Sequence, residues 1–213
     1  EESECLAEEL AERSEILRYE YRRESKRRKV EEQNRLFDLL QSVTQKQINR
    51  ISALTQEYRR ISKSDTDRVK MLLAEIAVLC SYIKRRKHLT LLADRDCKVA
   101  VSELERAFSE SLQTLKLLNV RNTLYVDSEL STLSGKNAAA ILDFYEEVIE
   151  ADLENLTSVQ ISLANINGLR LSLNVCCEAD LSIFLNKGNV LYEMDDDAGY
   201  QHLVFIIEGG AAV

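Results

Sequence analysis

Few residues of this chain could carry catalytic chemistry. Its 213 residues include only two histidines, His88 and His202. His88 ends a basic segment that we predict near the C-terminus of a helix, where the helix dipole favours a cation. His202 lies in a predicted strand, where a surface position or a hydrogen-bonded core position is expected. Two histidines so placed build no serine–histidine–aspartate arrangement for nucleophilic catalysis.

Cysteine and acidic side chains are the other candidates for a site. The five cysteines show no regular spacing, and their odd number favours a reduced, cytosolic chain over a disulfide framework. Cys176 and Cys177 are adjacent, but neighbouring strand residues point to opposite faces, so we expect no metal site there. Glu146 and Glu150 stand four apart on a predicted helix and share one face. That face is either a solvated surface or a place for a cation.

Charge and composition exclude several classes of protein. The net charge of −8 argues against nucleic-acid binding, which needs a basic face. A basic run at residues 22–29 is interpreted as a solvated helix face, with a lipid-headgroup patch as the alternative. No apolar run reaches the length of a membrane span. The chain starts Glu-Glu-Ser-Glu without an initiator methionine, so we expect it to be part of a longer protein.

Long helices dominate the first part of the sequence. The chain contains no proline, and its first glycine is Gly135, so nothing interrupts an early helical pattern. An apolar stripe predicts one helix over residues 1–61, and a second helix follows from about residue 67 to 87. Two such helices form an antiparallel hairpin, and pairing with a second copy would cover its apolar faces in a four-helix bundle. The residues expected at that homodimer interface are Leu36, Leu40, Val43, Ile51, Leu54, Leu72, Ile76, Leu79 and Ile83.

A different pattern begins after Ala93 and predicts an α+β domain. Strands are predicted at residues 97–101, 122–126, 158–164, 169–175, 190–194 and 202–207, and helices at about 102–115 and 141–153. Asn167-Gly168 is a strong hairpin signal between two of the strands. We therefore expect helices on one face of a mixed, mostly antiparallel sheet. The predicted organisation is a coiled-coil helix (1–33), a dimerisation hairpin (34–93) and an α/β sandwich (94–213).

This order of elements resembles the cytoplasmic half of a sensor histidine kinase, in which a dimerisation and phosphoacceptor hairpin precedes an ATP-binding domain. The similarity covers roughly residues 25–208. Arg35–Val43 resembles the phosphoacceptor box, and Lys84–Ala93 resembles the interdomain connection. Leu142–Leu153 stands where the family has its asparagine-bearing helix, and the strand pair that follows stands before its first glycine box. The resemblance implies a histidine-kinase ATPase-like α/β sandwich for the second domain.

The sequence departs from that family at the residues that would perform phosphoryl transfer. Gln41 and Ser42 align with the acceptor histidine and the acidic residue after it, and glutamine cannot be phosphorylated as imidazole can. Glu150 aligns with the asparagine that binds magnesium, although a carboxylate could also hold Mg²⁺. Cys176–Asp180 replaces the first glycine box, and the second box and the ATP lid are absent. A phosphate cradle needs small residues that expose their N–H groups.

We therefore expect a degenerate, non-catalytic signalling module without cofactor or metal. It would form a homodimer in the cytoplasm and relay signals from an upstream, membrane-bound sensor to a downstream signalling protein. Residues 1–33 would transmit the signal, because a coiled coil can switch between two registers. The alternative is a divergent but active ATP-dependent histidine kinase of a two-component system, with His88 as a displaced phosphoacceptor. A third possibility is a structural coiled-coil adaptor whose second domain only resembles the kinase fold.

Overall fold

The described residues form five α-helices and seven strands, and all of the strands come after the third helix. The computed structural model describes residues 2–61, 65–94, 98–166, 168–195 and 199–207, with side chains from residue 13 onward. The helices are α1 (Glu2–Ser42), α2 (Gln45–Arg60), α3 (Thr66–Asp94), α4 (Val101–Lys116) and α5 (Gly135–Ala151). The strands are β1 (Lys98–Ala100), β2 (Arg121–Val126), β3 (Thr132–Ser134), β4 (Ser158–Asn165), β5 (Leu169–Cys176), β6 (Val190–Asp195) and β7 (Tyr200–Ile207), with a 3₁₀ helix at Leu181–Lys187.

Two compact units make up the chain, residues 1–42 and residues 43–213. The first unit is the long helix α1. Its basic run is solvated, since the side chains of Arg27 and Arg28 are 70% and 75% exposed and pair with Glu31 and Glu24 one turn away. No helix among the described residues is both long and apolar enough to cross a membrane.

The predicted single helix over residues 1–61 is wrong, because the helix ends at Ser42 and restarts at Gln45. The Ser42 hydroxyl donates to the carbonyl of Leu39 at 2.8 Å, a local bond that bends helices. Val43 and Thr44 follow, and both are β-branched residues that fit a helix less well. Thr44 has φ −127° and ψ 4°, and its side chain is fully buried. Local hydrogen bonding and burial therefore override the continuous apolar stripe at this point.

Helices α2 and α3 form the predicted antiparallel hairpin. Leu54, Leu72 and Leu79 are buried together between them. The Asp65 carboxylate accepts the N–H of Arg68 at 3.2 Å and so caps the first turn of α3. Helix α3 runs past the predicted end at residue 87 to Asp94, because Leu89 packs into the core of the second domain.

The main sheet has five strands in the order β2-β4-β5-β7-β6. Strand β2 pairs with β4 in parallel, and the other three pairs are antiparallel, so the predicted mixed, mostly antiparallel sheet is confirmed. Alternate residues of β5 point to the core: Leu169, Leu171, Leu173 and Val175 are all fully buried. A strand was predicted at residues 97–101, where β1 lies, but its pairing with β3 in a second, two-stranded sheet was not, because β3 is only three residues long.

Helices α4 and α5 cover one face of the sheet and complete the core. Phe108 of α4 meets Tyr145 of α5 edge to face, with ring centroids 5.1 Å apart. Phe144 of α5 stacks on Phe205 of β7 at 4.7 Å. Helix α3 adds Val78 and Tyr82 to the same apolar cluster. The predicted α+β class, a helical hairpin followed by an α/β sandwich, is therefore confirmed; the four-helix bundle needs a second copy and stays a prediction.

Candidate functional site

The segment that resembles a phosphoacceptor box ends the helix of the first unit. Gln41 and Ser42 are both exposed on the last turn of α1. The amide of Gln41 has no imidazole nitrogen to accept a phosphoryl group, and Ser42 supplies no carboxylate to act as a base. The Ser42 hydroxyl is engaged with the backbone of its own helix. This turn presents surface for contacts but none of the groups that the family uses for phosphoryl transfer.

Glu150 lies in the last turn of α5, and both of its carboxylate oxygens already have partners. The ammonium Nζ of Lys46 lies 2.9 Å from Oε2, and the Gln47 amide donates to Oε1 at 3.2 Å. The Glu150 side chain is 19% exposed, so the pair is partly shielded from water. Lys46 and Gln47 therefore satisfy both oxygens of the Glu150 carboxylate within the chain. No sequence motif marks these two residues, because α2 and α5 meet only in the folded chain.

Glu146 lies one turn before Glu150 and is buried, with 2% of its surface exposed. Burial is the main reason why the pKa of its carboxyl is raised well above the ordinary range, and the negative charge of Glu150 adds to it. The solvated face expected for Glu146 is therefore wrong. The alternative of a cation site finds no support either, since the described residues include no acidic, histidine or cysteine cluster able to hold a metal ion.

The turn after β5 contains Cys176–Asp180, the segment that the sequence resemblance set against the family's first glycine box. Here the backbone N–H groups of Glu178 and Ala179 both donate to Oδ2 of Asp152, at 2.9 and 2.8 Å. Two adjacent N–H groups aimed at one point form the kind of nest that binds phosphate. In this chain a carboxylate of the same chain fills the nest. Burial, together with the charge of Asp152, raises the pKa of the neighbouring Cys177 thiol to about 11.

A cavity of about 660 Å³ remains between α2, α3, α5 and the 3₁₀ helix. Apolar side chains line most of it, among them Val78, Ile149 and Phe184. Two ion pairs flank it, Lys46 with Glu150 and Arg50 with Glu75. The described residues that line the cavity include no glycine.

The two histidines lie apart from these groups. His88 is half exposed on α3, and its Nε2 lies 3.9 Å from Glu103 of α4. The prediction that His88 lies near the end of a helix is wrong, because α3 continues past it to Asp94. His202 of β7 bonds through Nδ1 to the side chain of Asn174 on β5, on the sheet face away from the helices.

The predicted dimer residues divide into three groups. Leu36 and Leu40 are half-buried on α1, in the first unit. Leu54, Leu72 and Leu79 are buried within one chain, where they hold α2 against α3. The remaining residues keep part of their surface in contact with solvent: Val43, Ile51, Ile76 and Ile83.

Comparison with solved structures finds histidine kinases among the chains that are similar to this one. No protein-family profile and no curated sequence matches the chain. A blue-light activated histidine kinase domain from Erythrobacter litoralis is 12% identical over 76% of this chain and 94% of its own, with a TM-score of 0.44. The Acinetobacter baumannii histidine kinase AdeS is 10% identical over 76% and 94%, with a TM-score of 0.37. A bacterial phosphotransferase is 8% identical over 78% and 90%, with a TM-score of 0.43.

The resemblance noted from the sequence is thus found again among solved structures. It concerns the arrangement of helices and strands and assigns no role to any residue of this chain.

Proposed function

We propose that this chain is a degenerate, histidine-kinase-like signalling module that dimerises and relays a signal without phosphoryl transfer of its own. Helix α1 would carry the signal from an upstream sensor, and the hairpin α2–α3 would supply the dimer interface. The α/β sandwich would act as a surface for a downstream protein. The module would work in the cytoplasm.

The observation that carries this proposal is the occupation of Glu150 by Lys46 and Gln47. A magnesium ion at this carboxylate would have to displace an ammonium group and an amide, each at hydrogen-bond distance. The nest after β5 supports the same conclusion, since Asp152 holds its two N–H groups. A nucleotide would therefore meet a filled cation position and a filled anion position.

The first experiment is isothermal titration of the 213-residue chain with Mg-ATP. We expect no heat of binding at micromolar nucleotide. A variant with Lys46→Ala, Gln47→Ala and Asp152→Ala tests the reason, because it removes every side chain that fills the two positions. Asp180→Ala is a matched control on an exposed carboxylate that caps the 3₁₀ helix. Micromolar binding by the unmodified chain would contradict the proposal.

The second experiment separates the proposal from an active kinase. The chain is incubated with [γ-³²P]ATP, and we expect no labelled protein. Labelling that disappears in His88→Ala and persists in Gln41→Ala would instead identify a divergent kinase with His88 as acceptor. Sedimentation equilibrium tests the dimer independently, with Ile51→Glu as a variant on the partly exposed face of α2.

A further inference from the structure

A small polar cavity lies where the first turn of α2 meets α3 and α5. Its volume is about 210 Å³. Lys46 and Gln47 of α2 line it, together with Tyr82 of α3 and with Glu146 and Glu147 of α5. The cavity directly follows the helix break at residues 43–44, so the turn of α2 above it is not continuous with α1.

Among the described residues, Glu146 is the acid at this junction that forms no ion pair. Its Oε1 has no hydrogen-bond partner among the described protein groups, although the side chain is almost fully buried. Asp143 is paired with Arg86 and accepts the Tyr82 hydroxyl at 2.9 Å. Glu147 is paired with Lys187.

The nearest cation on α2 is Lys46, and it is already engaged by Glu150. The Lys46 charge lowers the pKa of the Glu146 carboxyl. Burial and the negative charges of Glu150 and Asp143 raise it by more, so the pKa of Glu146 is raised overall. Tyr82 stays a neutral donor, because burial raises the pKa of its hydroxyl. An ionised Glu146 would therefore be a buried charge that Lys46 offsets only in part, so burial favours the neutral carboxyl.

We propose that this junction is a proton-controlled latch: neutral Glu146 keeps the first turn of α2 docked on α5, and loss of its proton releases that turn. The first turn of α2 is the part that moves, because the side-chain contacts that hold it on α5 come from only two of its residues, Lys46 and Gln47. One of these contacts is accessible to water, since the Lys46 side chain is 74% exposed. Helix α3, by contrast, is fixed in the main core through Val78 and Leu89.

Release of the turn has a defined consequence for the site described above. It separates Lys46 and Gln47 from Glu150 and widens the apolar cavity beside α5. The conformation of the hairpin would thus depend on pH, which gives the proposed signalling module a second input besides α1. The latch rests on groups within residues 43–213 and holds whether or not the chain binds nucleotide.

The sign and size of the effect follow from proton linkage. The docked state favours the protonated carboxyl, so docking is complete at acid pH and weakens as pH rises toward the docked-state pKa. Because opening releases one proton, the opening equilibrium should rise about tenfold per pH unit between the open-state and docked-state pKa values. Above the docked-state pKa the effect levels off.

Hydrogen exchange followed by mass spectrometry measures this opening in the full chain. Exchange is recorded from about pH 5 to about pH 9, a range that covers buried carboxyls, and corrected for the intrinsic rate. We expect amides of residues 48–50, the first that donate within the helix, to lose protection by about tenfold per pH unit, while amides of β4 and β5 do not change. Glu146→Gln keeps the shape and removes the titration, so its α2 amides should stay protected across the range.

Glu105→Gln is the control, since it makes the same charge change at an exposed residue of α4 that does not line the cavity. It should keep the pH dependence of the unmodified chain. Equal pH dependence in Glu146→Gln and the unmodified chain would overturn the latch. So would α2 protection that is constant with pH in the unmodified chain, a result that needs no variant.

Discussion

Replacement of Gly135 by alanine tests how the hairpin is joined to the second domain. Gly135 is buried as the first residue of α5 and lies against Ala93 near the end of α3. A Cβ atom at this position would lie 2.6 Å from the Cα of Ala93, 2.7 Å from its N and 2.9 Å from its Cβ. Real Cβ atoms do not approach other atoms this closely, so the backbone of α3 has to move.

Two effects of opposite sign compete in the Gly135→Ala variant. Alanine favours a helix over glycine by at most about 1 kcal/mol. Overpacking of a well-packed site costs about 1–3 kcal/mol, and more when backbone must shift. Because the closest atoms belong to the backbone of Ala93, we expect overpacking to win. The variant should be less stable by about 1–3 kcal/mol, and its Tm should fall by about 2–4 °C for each kcal/mol.

Urea unfolding followed by circular dichroism measures the change. Lys136→Ala is the control, since it alters the next, exposed residue and should stay within about 0.5 kcal/mol of the unmodified chain. Adding Ala93→Gly to Gly135→Ala should recover only part of the loss, because it removes one of the three close contacts. A Gly135→Ala variant as stable as the unmodified chain, or more stable, would refute the packing argument and leave helix propensity as the larger effect.

Two further predictions concern a buried hydroxyl and the thiols. Tyr145→Phe removes a buried hydroxyl that donates to Ser111 at 2.9 Å, so urea unfolding should show a loss of about 1 kcal/mol. Tyr58→Phe, at a residue that is 40% exposed, should show almost none. At pH 8 iodoacetamide should label exposed Cys80 well before Cys177, whose pKa of about 11 leaves about one thiolate in a thousand. Peptide mass spectrometry measures the labelling rate of each cysteine. If Cys177 were labelled as fast as Cys80 in the folded chain, and as fast as in urea, the burial of Cys177 would be contradicted.

Local patterns in the sequence were enough to predict most of the fold. Alternation of apolar residues predicted β4, β5 and β7, because a strand with one buried face must repeat every second residue. The apolar stripes predicted the hairpin, and the missing proline allowed it. The same reasoning failed at the break after Ser42, since a single hydroxyl bond and the burial of Thr44 decided it.

The candidate site divides in the same way. Side-chain types alone determined that Gln41 could not replace an acceptor histidine and that the turn at Cys176–Asp180 lacked glycine. Those are properties of residue identity and are readable without a fold.

Only the tertiary structure decided what occupies the remaining positions. Lys46 is 104 residues from Glu150 in the sequence, and the two meet because α2 packs beside α5. Glu146 looked like half of an exposed acidic pair until the packing of the hairpin removed it from water. The pKa of a carboxyl depends on burial and on charges brought near it by distant segments. Residue type therefore limited the chemistry of this chain, and packing determined which of its acids are charged, paired or able to respond to a proton.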